Sequence, residues 1–213
     1  MKMKATPILL AAAFMALPSF AQKEAAARKV LDKIAATLSS LKGVKTGFEI
    51  TSFVGIAEQG STQGTMYLDG KKYRMESPDM LTWYDGETQW AYLPETNEVN
   101  VTHPTPEEQQ TTHPYAFTAI YKKGYNYTMK QVNHNGEKAY EVYLKAENRE
   151  ADIQEIRVNI SSNYIPYSIR VRQGQNNWTR IRVNHLQGKQ KFSKDTFTFP
   201  TSKYPDAEVI DLR

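Results

Sequence analysis

Residues 64–76 read Gly-Thr-Met-Tyr-Leu-Asp-Gly-Lys-Lys-Tyr-Arg-Met-Glu, and this stretch indicates the fold class of the chain. Apolar and polar side chains alternate on both sides of the central Asp69-Gly70 pair, which is typical of a β-hairpin with one apolar face. A helix would instead place apolar residues three and four positions apart. The stretch therefore predicts two antiparallel strands joined by a tight turn.

The same alternation extends to both sides of this hairpin. Phe48, Ile50 and Val54 would share one face of an earlier strand, and Gln59-Gly60-Ser61 is predicted to turn the chain into the next one. Later alternating segments are separated by turn sequences at Asp85-Gly86, Glu95-Thr96-Asn97, Asn135-Gly136, Ser162-Asn163 and Gly174 to Asn177. Together the segments predict about ten or eleven strands connected by hairpins.

Two helical pieces accompany the strands. The first is an amphipathic helix of about five turns that ends at Gly43; its apolar positions are Leu31, Ile34, Leu38 and Leu41. A polar loop over residues 102–114 contains three prolines, and residues 114–123 then predict a short helix. The apolar side of this short helix consists of Phe117, Ile120 and Tyr121.

The order of these elements favours one antiparallel domain. Strands follow one another through hairpins, so the chain lacks the strand–helix alternation of a parallel sheet. A sheet of this many hairpin-linked strands is more often curled or barrel-like than flat. The sequence therefore predicts a mainly β, single-domain fold covered by an N-terminal helix and a short internal helix.

The first residues predict a cleaved export signal rather than a part of this domain. Lys2 and Lys4 precede an apolar run over residues 8–17, and Ser19-Phe20-Ala21 fits a signal-peptidase site. A run of this length is too short to span a bilayer, which needs about 20 residues. We expect a signal peptide over residues 1–21 and a mature domain over residues 22–213. The mature chain would begin at Gln22 instead of a lipid-bearing cysteine, so we expect a soluble, unlipidated periplasmic monomer.

Composition excludes several classes of function. The chain contains no cysteine and only four histidines, His103, His113, His134 and His185, which are scattered along it. No histidine pair has helical metal-ligand spacing, and no nucleophile elbow or phosphate-binding glycine loop is present. We therefore expect neither an enzyme nor a cofactor. Without Lys2 and Lys4 the chain has 25 Lys and Arg against 23 Asp and Glu, which is too balanced to indicate nucleic-acid binding.

A local basic group is nevertheless visible late in the chain. Arg170, Arg172, Arg180 and Arg182 alternate with apolar residues, so they would lie on one face of neighbouring strands. A solvated sheet face would account for them. This is the simpler interpretation; the alternative is a patch that faces an acidic partner or lipid head groups.

The predicted apolar face of the sheet has two interpretations. Its side chains include several flexible or bulky ones, Met66, Leu68, Met75, Leu81, Trp83 and Met129. Two helical pieces cannot cover such a sheet tightly everywhere, and methionine adapts to irregular ligand shapes. The residues could therefore line an acyl pocket, or they could form an ordinary packed core.

Several segments in order resemble the family of outer-membrane lipoprotein carriers (LolA). They are Gly64 to Leu68, Tyr73-Arg74-Met75, Ser77-Pro78-Asp79, Trp83 to Trp90, Tyr92-Leu93-Pro94, Glu98-Val99 and the ending Phe197-Thr198-Phe199-Pro200. The resemblance covers nearly the whole mature chain. It implies an unclosed antiparallel barrel with helical lids and an apolar interior. It also implies acylated lipoproteins as cargo, an inner-membrane lipoprotein-releasing ABC transporter as donor and an outer-membrane acceptor.

On this resemblance we expect the lipid-binding side chains to come from the two helices and the apolar strand positions. They are Leu31, Ile34, Leu38, Phe48, Ile50, Met66, Leu68, Met75, Leu81, Trp83, Trp90, Tyr92, Phe117, Ile120 and Met129. One feature departs from the family. Asp69-Gly70-Lys71-Lys72 stands where many members have a basic residue beside a proline, and that residue ties their lid closed.

Other functions remain open at this stage. A periplasmic lipid-binding or lipid-sensing module of the same fold, with another lipid as cargo, fits the same segments. The outer-membrane acceptor is itself a lipoprotein, and the absence of cysteine argues against that role. An enzyme acting on envelope lipid or glycan would need a constellation of catalytic residues that the motifs do not provide.

Overall fold

The computed structural model describes residues 20–105, 108–109 and 124–213. Within them, one helix, α1 (Phe20–Ser40), precedes twelve strands, and two short 3₁₀ turns lie at Lys194–Phe197 and Thr201–Lys203. The strands are β1 (Val44–Val54), β2 (Ala57–Asp69), β3 (Lys72–Glu76), β4 (Leu81–Tyr84), β5 (Gln89–Leu93), β6 (Glu98–Thr102), β7 (Tyr125–His134), β8 (Glu137–Ala146), β9 (Ile153–Ile160), β10 (Pro166–Gln173), β11 (Asn177–Gln187) and β12 (Glu208–Asp211).

All twelve strands belong to a single sheet that does not close. Their order across the sheet is β12-β6-β5-β4-β3-β2-β1-β11-β10-β9-β8-β7, so β12 and β7 are the two edges. Neighbouring strands are antiparallel except β12, which runs parallel to β6. The mainly β, unclosed antiparallel architecture predicted from the sequence is confirmed.

The tight turns have the backbone geometry that their sequences predict. Asn135 and Gly136 both have positive φ, 54° and 84°, as a two-residue type I′ hairpin requires. Gly70 and Gly86 also have positive φ, 60° and 107°. The Asp85 carboxylate accepts hydrogen bonds from the backbone N–H groups of Glu87 and Thr88, at 3.0 and 2.9 Å. Local sequence chemistry therefore fixes these hairpins.

One predicted turn is wrong, and one strand was not predicted. Gln59-Gly60-Ser61 lies inside β2, and the chain turns earlier at Gly55-Ile56, where Val54 pairs with Ala57. A one-residue bulge in β2 absorbs the extra position opposite Ser52 and Phe53, so a turn-like composition occurs within a strand. Strand β12 has only four residues and depends on pairing with the distant β6, which local alternation does not reveal.

Helix α1 ends where the sequence predicts. It is followed by Lys42 and Gly43, which both have positive φ. The backbone after the helix then bonds to the segment beyond β11: Lys189 N–H donates to the Leu41 carbonyl at 2.6 Å, and Gln190 N–H donates to the Gly43 carbonyl at 3.0 Å. These bonds hold the C-terminal end of α1 beside the central strands. The predicted short helix over residues 114–123 lies outside the described residues.

The strand registers divide the sheet into two faces, because directly paired residues project to the same side. We call one side the helix face, since α1 packs against it. One row of paired residues on the helix face is Met129, Val142, Val158, Ile169, Ile181 and Ile50. We call the other side the opposite face. The neighbouring row on the opposite face is Thr128, Tyr143, Arg157, Arg170, Arg180 and Thr51.

Candidate lipid-binding face

The first apolar cluster lies between α1 and the strands from β7 to β10. Five helix residues contribute to it at helical spacing, namely Ala27, Val30, Leu31, Ile34 and Leu38. The strands contribute Tyr127, Val142, Leu144, Ile156, Val158, Ile160 and Ile169, most of which are fully buried. The apolar stripe of the helix thus covers one part of the helix face, and we call this group the helix cluster.

A second apolar cluster continues the same face over β1 to β4. It consists of Val44, Phe48, Met66, Leu68, Tyr73 and Tyr84, with Ile50, Met75, Leu41 and Leu186 packed at its border. We call it the central cluster. Leu41, just after α1, packs against both clusters. The apolar helix face is therefore wider than the part that α1 covers.

Tyrosine hydroxyls lie at the far end of the central cluster and are paired. The Tyr73 hydroxyl donates to Gln89 Oε1 at 2.6 Å. The Tyr84 hydroxyl accepts a hydrogen bond from Gln109 Nε2 at 2.8 Å, so the segment after β6 returns across this end. Burial raises the pKa of Tyr84, and the nearby Asp85 carboxylate raises it further. Tyr84 is therefore neutral at physiological pH and compatible with an apolar surface.

Four predicted lining residues do not lie on the helix face. Trp83 pairs with Arg74 and with Trp90, and Leu81 pairs with Tyr92, all on the opposite face. The C-terminal segment, residues 192–207, covers them there through Phe199, Tyr204 and Ala207. The placement of Leu81, Trp83, Trp90 and Tyr92 around a cavity with the methionines is therefore corrected: they form a separate packed cluster, the tail cluster.

The expected placement of Trp83 is wrong because β4 is buried on both of its faces. Trp83 and Tyr84 are consecutive, so they point to opposite faces, yet both are almost completely buried. A strand that is covered on both sides has no polar face, so its residues do not alternate between apolar and polar. Tyr84 joins the helix face through its pairing with Tyr73, and Trp83 takes the other side.

The structure brings nine of the predicted lipid-binding residues together on the helix side of the sheet. They are Leu31, Ile34, Leu38, Phe48, Ile50, Met66, Leu68, Met75 and Met129. Of these, Ile50, Met75 and Met129 are only partly buried and border the clusters. Phe117 and Ile120 lie outside the described residues. The lipid-binding role of the nine residues stays a prediction.

A contact that the sequence did not indicate joins α1 to the sheet. Lys33 Nζ donates to the Tyr164 hydroxyl at 3.0 Å and lies 4.6 Å from the centre of that ring. This hydrogen bond raises the pKa of Lys33 and lowers the pKa of Tyr164. Tyr164 has a positive φ of 61° in the β9–β10 turn and stacks on Tyr140. Neither residue belongs to a recognisable motif, so only the folded chain could reveal the pair.

The basic residues near the departure from the family pattern lie at a turn and on the opposite face of the sheet. Gly70 and Lys71 form a two-residue turn between the paired Asp69 and Lys72. Arg74 lies on the opposite face, where it is ion-paired with Glu76 and rests over the rings of Tyr67 and Trp83. It points away from α1.

The described part of the chain contains neither a metal centre nor a membrane-spanning helix. No group of three His, Asp or Glu side chains there is arranged to hold a metal ion. None of the helices described is long and apolar enough to cross a bilayer.

Among the described residues, an unclosed sheet with α1 packed across an apolar face gives the architecture of an open barrel. The chain belongs to the family of the outer membrane lipoprotein carrier protein LolA, whose model matches residues 17–175. No curated protein matches it.

Several solved structures are similar to this chain at low sequence identity. An uncharacterized conserved protein from Thermus thermophilus is 11% identical, with a TM-score of 0.59, over 87% of this chain and 99% of that chain. A LolA superfamily protein from Nitrosomonas europaea is 11% identical, with a TM-score of 0.45, over 81% of this chain and 97% of that chain. The Mycobacterium tuberculosis lipoprotein LppX is 8% identical, with a TM-score of 0.44, over 78% of this chain and 99% of that chain.

Proposed function

We propose that this protein is a periplasmic carrier that binds the acyl chains of lipoproteins on the helix face of its sheet. Residues 1–21 would be removed on export, and residues 22–213 would form the working carrier. It would accept lipoproteins from an inner-membrane ABC transporter and pass them to an outer-membrane acceptor. The family to which the chain belongs supports this function.

One structural observation supports the proposal most directly: the apolar helix face extends beyond α1. The helix cluster ends near Ile169 and Ile181, while the central cluster continues the apolar surface to Tyr84. An acyl chain lying from one cluster to the other would gain about 0.8 kcal/mol of binding free energy for each methylene group that it buries. The partly buried Ile50, Met75 and Met129 would be the first side chains to contact it.

The chemistry of this face suits reversible binding. The apolar side chains at its border are aliphatic, methionine or tyrosine, and methionine adapts to chains of different shape. Carrier function needs an apolar surface with a removable cover and needs no catalytic group. The Lys33–Tyr164 contact is exposed, so it could hold α1 in place and still break at low cost.

The test is binding of a fluorescent fatty-acyl probe to the purified protein. Met75→Glu places a charge on the helix face at a partly buried position, so we expect a folded protein with at least tenfold weaker probe binding. Lys72→Gln is the matched control, because it lowers the charge by one at an exposed site of the same strand. Normal binding by a folded Met75→Glu protein would contradict the proposal.

Leu68→Glu gives a second measurement at a fully buried position. Leu68 is only 3% exposed between Val44 and Tyr73, so a charge there should lower the melting temperature strongly. If bound acyl chains share this surface, a saturating acyl ligand should raise the melting temperature of the wild type. Mass spectrometry of material co-purified from the envelope would identify the cargo. Recovery of a lipid other than a lipoprotein would favour the related lipid-binding module.

A further inference from the structure

Three arginines lie directly opposite one another on the opposite face of the sheet. Arg180 of β11 pairs with Arg170 of β10, and Arg170 pairs with Arg157 of β9. Like charges in directly opposed positions of a sheet destabilise it, because their Cβ atoms are about 5 Å apart. We call these three residues the arginine row. A row of this kind costs stability unless an anion lies across it.

Acidic partners within the fold neutralise the row only in part. Glu49 lies 3.5 Å from Arg180 and 3.2 Å from Arg182, and Glu155 is ion-paired with Arg172. In the described chain, neither Arg157 nor Arg170 has an ion pair. Both rest on aromatic rings instead: Arg170 is 5.1 Å from the centre of the Trp178 ring, and Arg157 is 5.3 Å from that of Tyr143. Their guanidinium groups are thus held in place with positive charge uncompensated.

The neighbouring hairpin tip is apolar and exposed. Ile56, at the β1–β2 turn, has a side chain that is fully exposed at 101%, and Val54 beside it is 50% exposed. The Gly55 N–H donates to the Asn176 carbonyl at 2.8 Å, so the tips of the β1–β2 and β10–β11 hairpins lie side by side. Phe53 and Trp178 pair immediately behind the two tips. Exposed apolar side chains backed by tryptophan are typical of elements that enter the membrane interface.

The distance between the β1–β2 tip and the arginine row is compatible with binding to a lipid surface. Arg180 pairs with Thr51, four residues before Gly55, so the row lies about 13 Å behind the tip at about 3.3 Å per residue. Interfacial elements bury their apolar side about 5–10 Å into the boundary of head groups and acyl chains. With Ile56 at that depth and the sheet tilted, the arginine row would lie at the level of the phosphates. The guanidinium group of arginine binds phosphate well, because it can donate two parallel hydrogen bonds.

From this juxtaposition we propose that the β1–β2 tip and the arginine row together form a docking surface for an anionic membrane. Glu49, Glu58, Glu141 and Glu155 also lie on this face, and Glu141 is ion-paired with Lys130. The face carries five arginines on β9 to β11, which outnumber these carboxylates: Arg157, Arg170, Arg172, Arg180 and Arg182. The C-terminal segment covers the opposite face only over β2 to β6, through Phe192, Phe199 and Tyr204. The surface is separate from the helix face, so a carrier could touch a membrane while its acyl-binding side stays covered.

Vesicle co-sedimentation of the full purified protein tests this proposal. We expect binding to phosphatidylcholine vesicles that contain phosphatidylglycerol, little binding to phosphatidylcholine alone, and loss of binding in high salt. Ile56→Ser should weaken binding about tenfold or more, and Arg157→Gln and Arg170→Gln about fivefold each. Leu212→Ser is the matched control, because Leu212 is 62% exposed elsewhere. Wild-type protein that does not prefer anionic vesicles would overturn the proposal.

Two further readouts separate this surface from its alternatives. The arginine variants should melt no lower than the wild type at low salt, since they relieve repulsion between like charges. If they weaken binding to soluble polyglutamate as much as to vesicles, while Ile56→Ser changes neither, the surface binds an acidic protein and the membrane assignment is wrong. Ile56→Ser should keep full affinity for the acyl probe, so failure of membrane docking would leave the proposed carrier function untouched.

Discussion

The two halves of the sheet are covered on different faces. Over β7 to β10, α1 packs on the helix face, and the opposite face of β9 to β11 carries the arginine row, whose members are exposed or only partly buried. Over β3 to β6, the C-terminal segment packs on the opposite face. Both halves have similar alternating sequences. Alternation therefore defines two faces, while a distant segment of the chain determines which face becomes buried.

The two covers also differ in chemistry. The helix cluster is mostly aliphatic, with branched side chains from β8, β9 and β10 under α1. The tail cluster is aromatic: the rings of Trp83 and Phe199 meet edge to face with centres 5.3 Å apart, and those of Tyr92 and Tyr204 are 4.4 Å apart. Aromatic pairs have preferred geometries that aliphatic contacts lack. The geometry of the tail half is thus more narrowly defined than that of the helix half.

The largest expected effect comes from Trp83→Ala. Trp83 is 1% exposed and contacts Phe199, so its removal should lower the free energy of unfolding by about 3–5 kcal/mol in urea titration. Affinity for the acyl probe should stay unchanged below the transition, because Trp83 lies on the opposite face. Trp90→Ala, at a partly buried neighbour, is the control and should cost less. A folded Trp83→Ala protein that no longer binds the acyl probe would show that Trp83 lines the acyl-binding surface, and would contradict its assignment to the tail cluster.

A smaller effect is expected in the turn of the same half. Gly86 has a φ of 107°, and a Cβ placed there would touch nothing within 4 Å, so the cost of Gly86→Val is conformational. We expect a loss of about 1 kcal/mol or more in the free energy of unfolding. Glu87→Val, at an exposed position of the same turn, should have little effect on the thermal melt. Equal melting temperatures for both variants would show that the tail cluster alone sets the local stability.

The smallest effect concerns the attachment of α1. Lys33→Met removes the Lys33–Tyr164 hydrogen bond, and Lys29→Met is the control at another exposed position of the helix. Stability from the raised pKa of Lys33 is present below 10.5 and disappears as pH rises through the raised value. Stability from the lowered pKa of Tyr164 appears only as pH approaches 10.

Because the contributions of Lys33 and Tyr164 change in opposite directions with pH, the stability that their contact provides should pass through a maximum. The difference in melting temperature between wild type and Lys33→Met should be greatest near pH 10, where Tyr164 is ionised and Lys33 is still charged. It should vanish at higher pH, while Lys29→Met shows no such dependence. A difference that does not change with pH would mean that the contact does not help to hold α1 in solution.

The candidate site was only partly predictable from the sequence. Leu31, Ile34 and Leu38 were identifiable because helical spacing gives one apolar stripe, which must be buried. Leu68 and Met75 were identifiable because their strands are polar on the other side. Trp83 was misplaced because β4 is covered on both sides, so apolar residues there do not indicate a common surface. Tyr92 was misplaced with it, because it lies on the same face of the paired strand β5.

The antiparallel fold, the hairpins and α1 follow from the amino-acid sequence alone, since these features depend on neighbours within a few residues. Asn135-Gly136 could adopt few backbone conformations other than its turn, wherever the hairpin lay. The folded chain was needed to show that β12 joins β6, that the C-terminal segment covers Trp83, and that Arg157, Arg170 and Arg180 stand in one row. The first two depend on contacts between segments far apart in the chain. The arginine row depends on the exact register of three neighbouring strands, in which a shift of one residue would move every side chain to the other face.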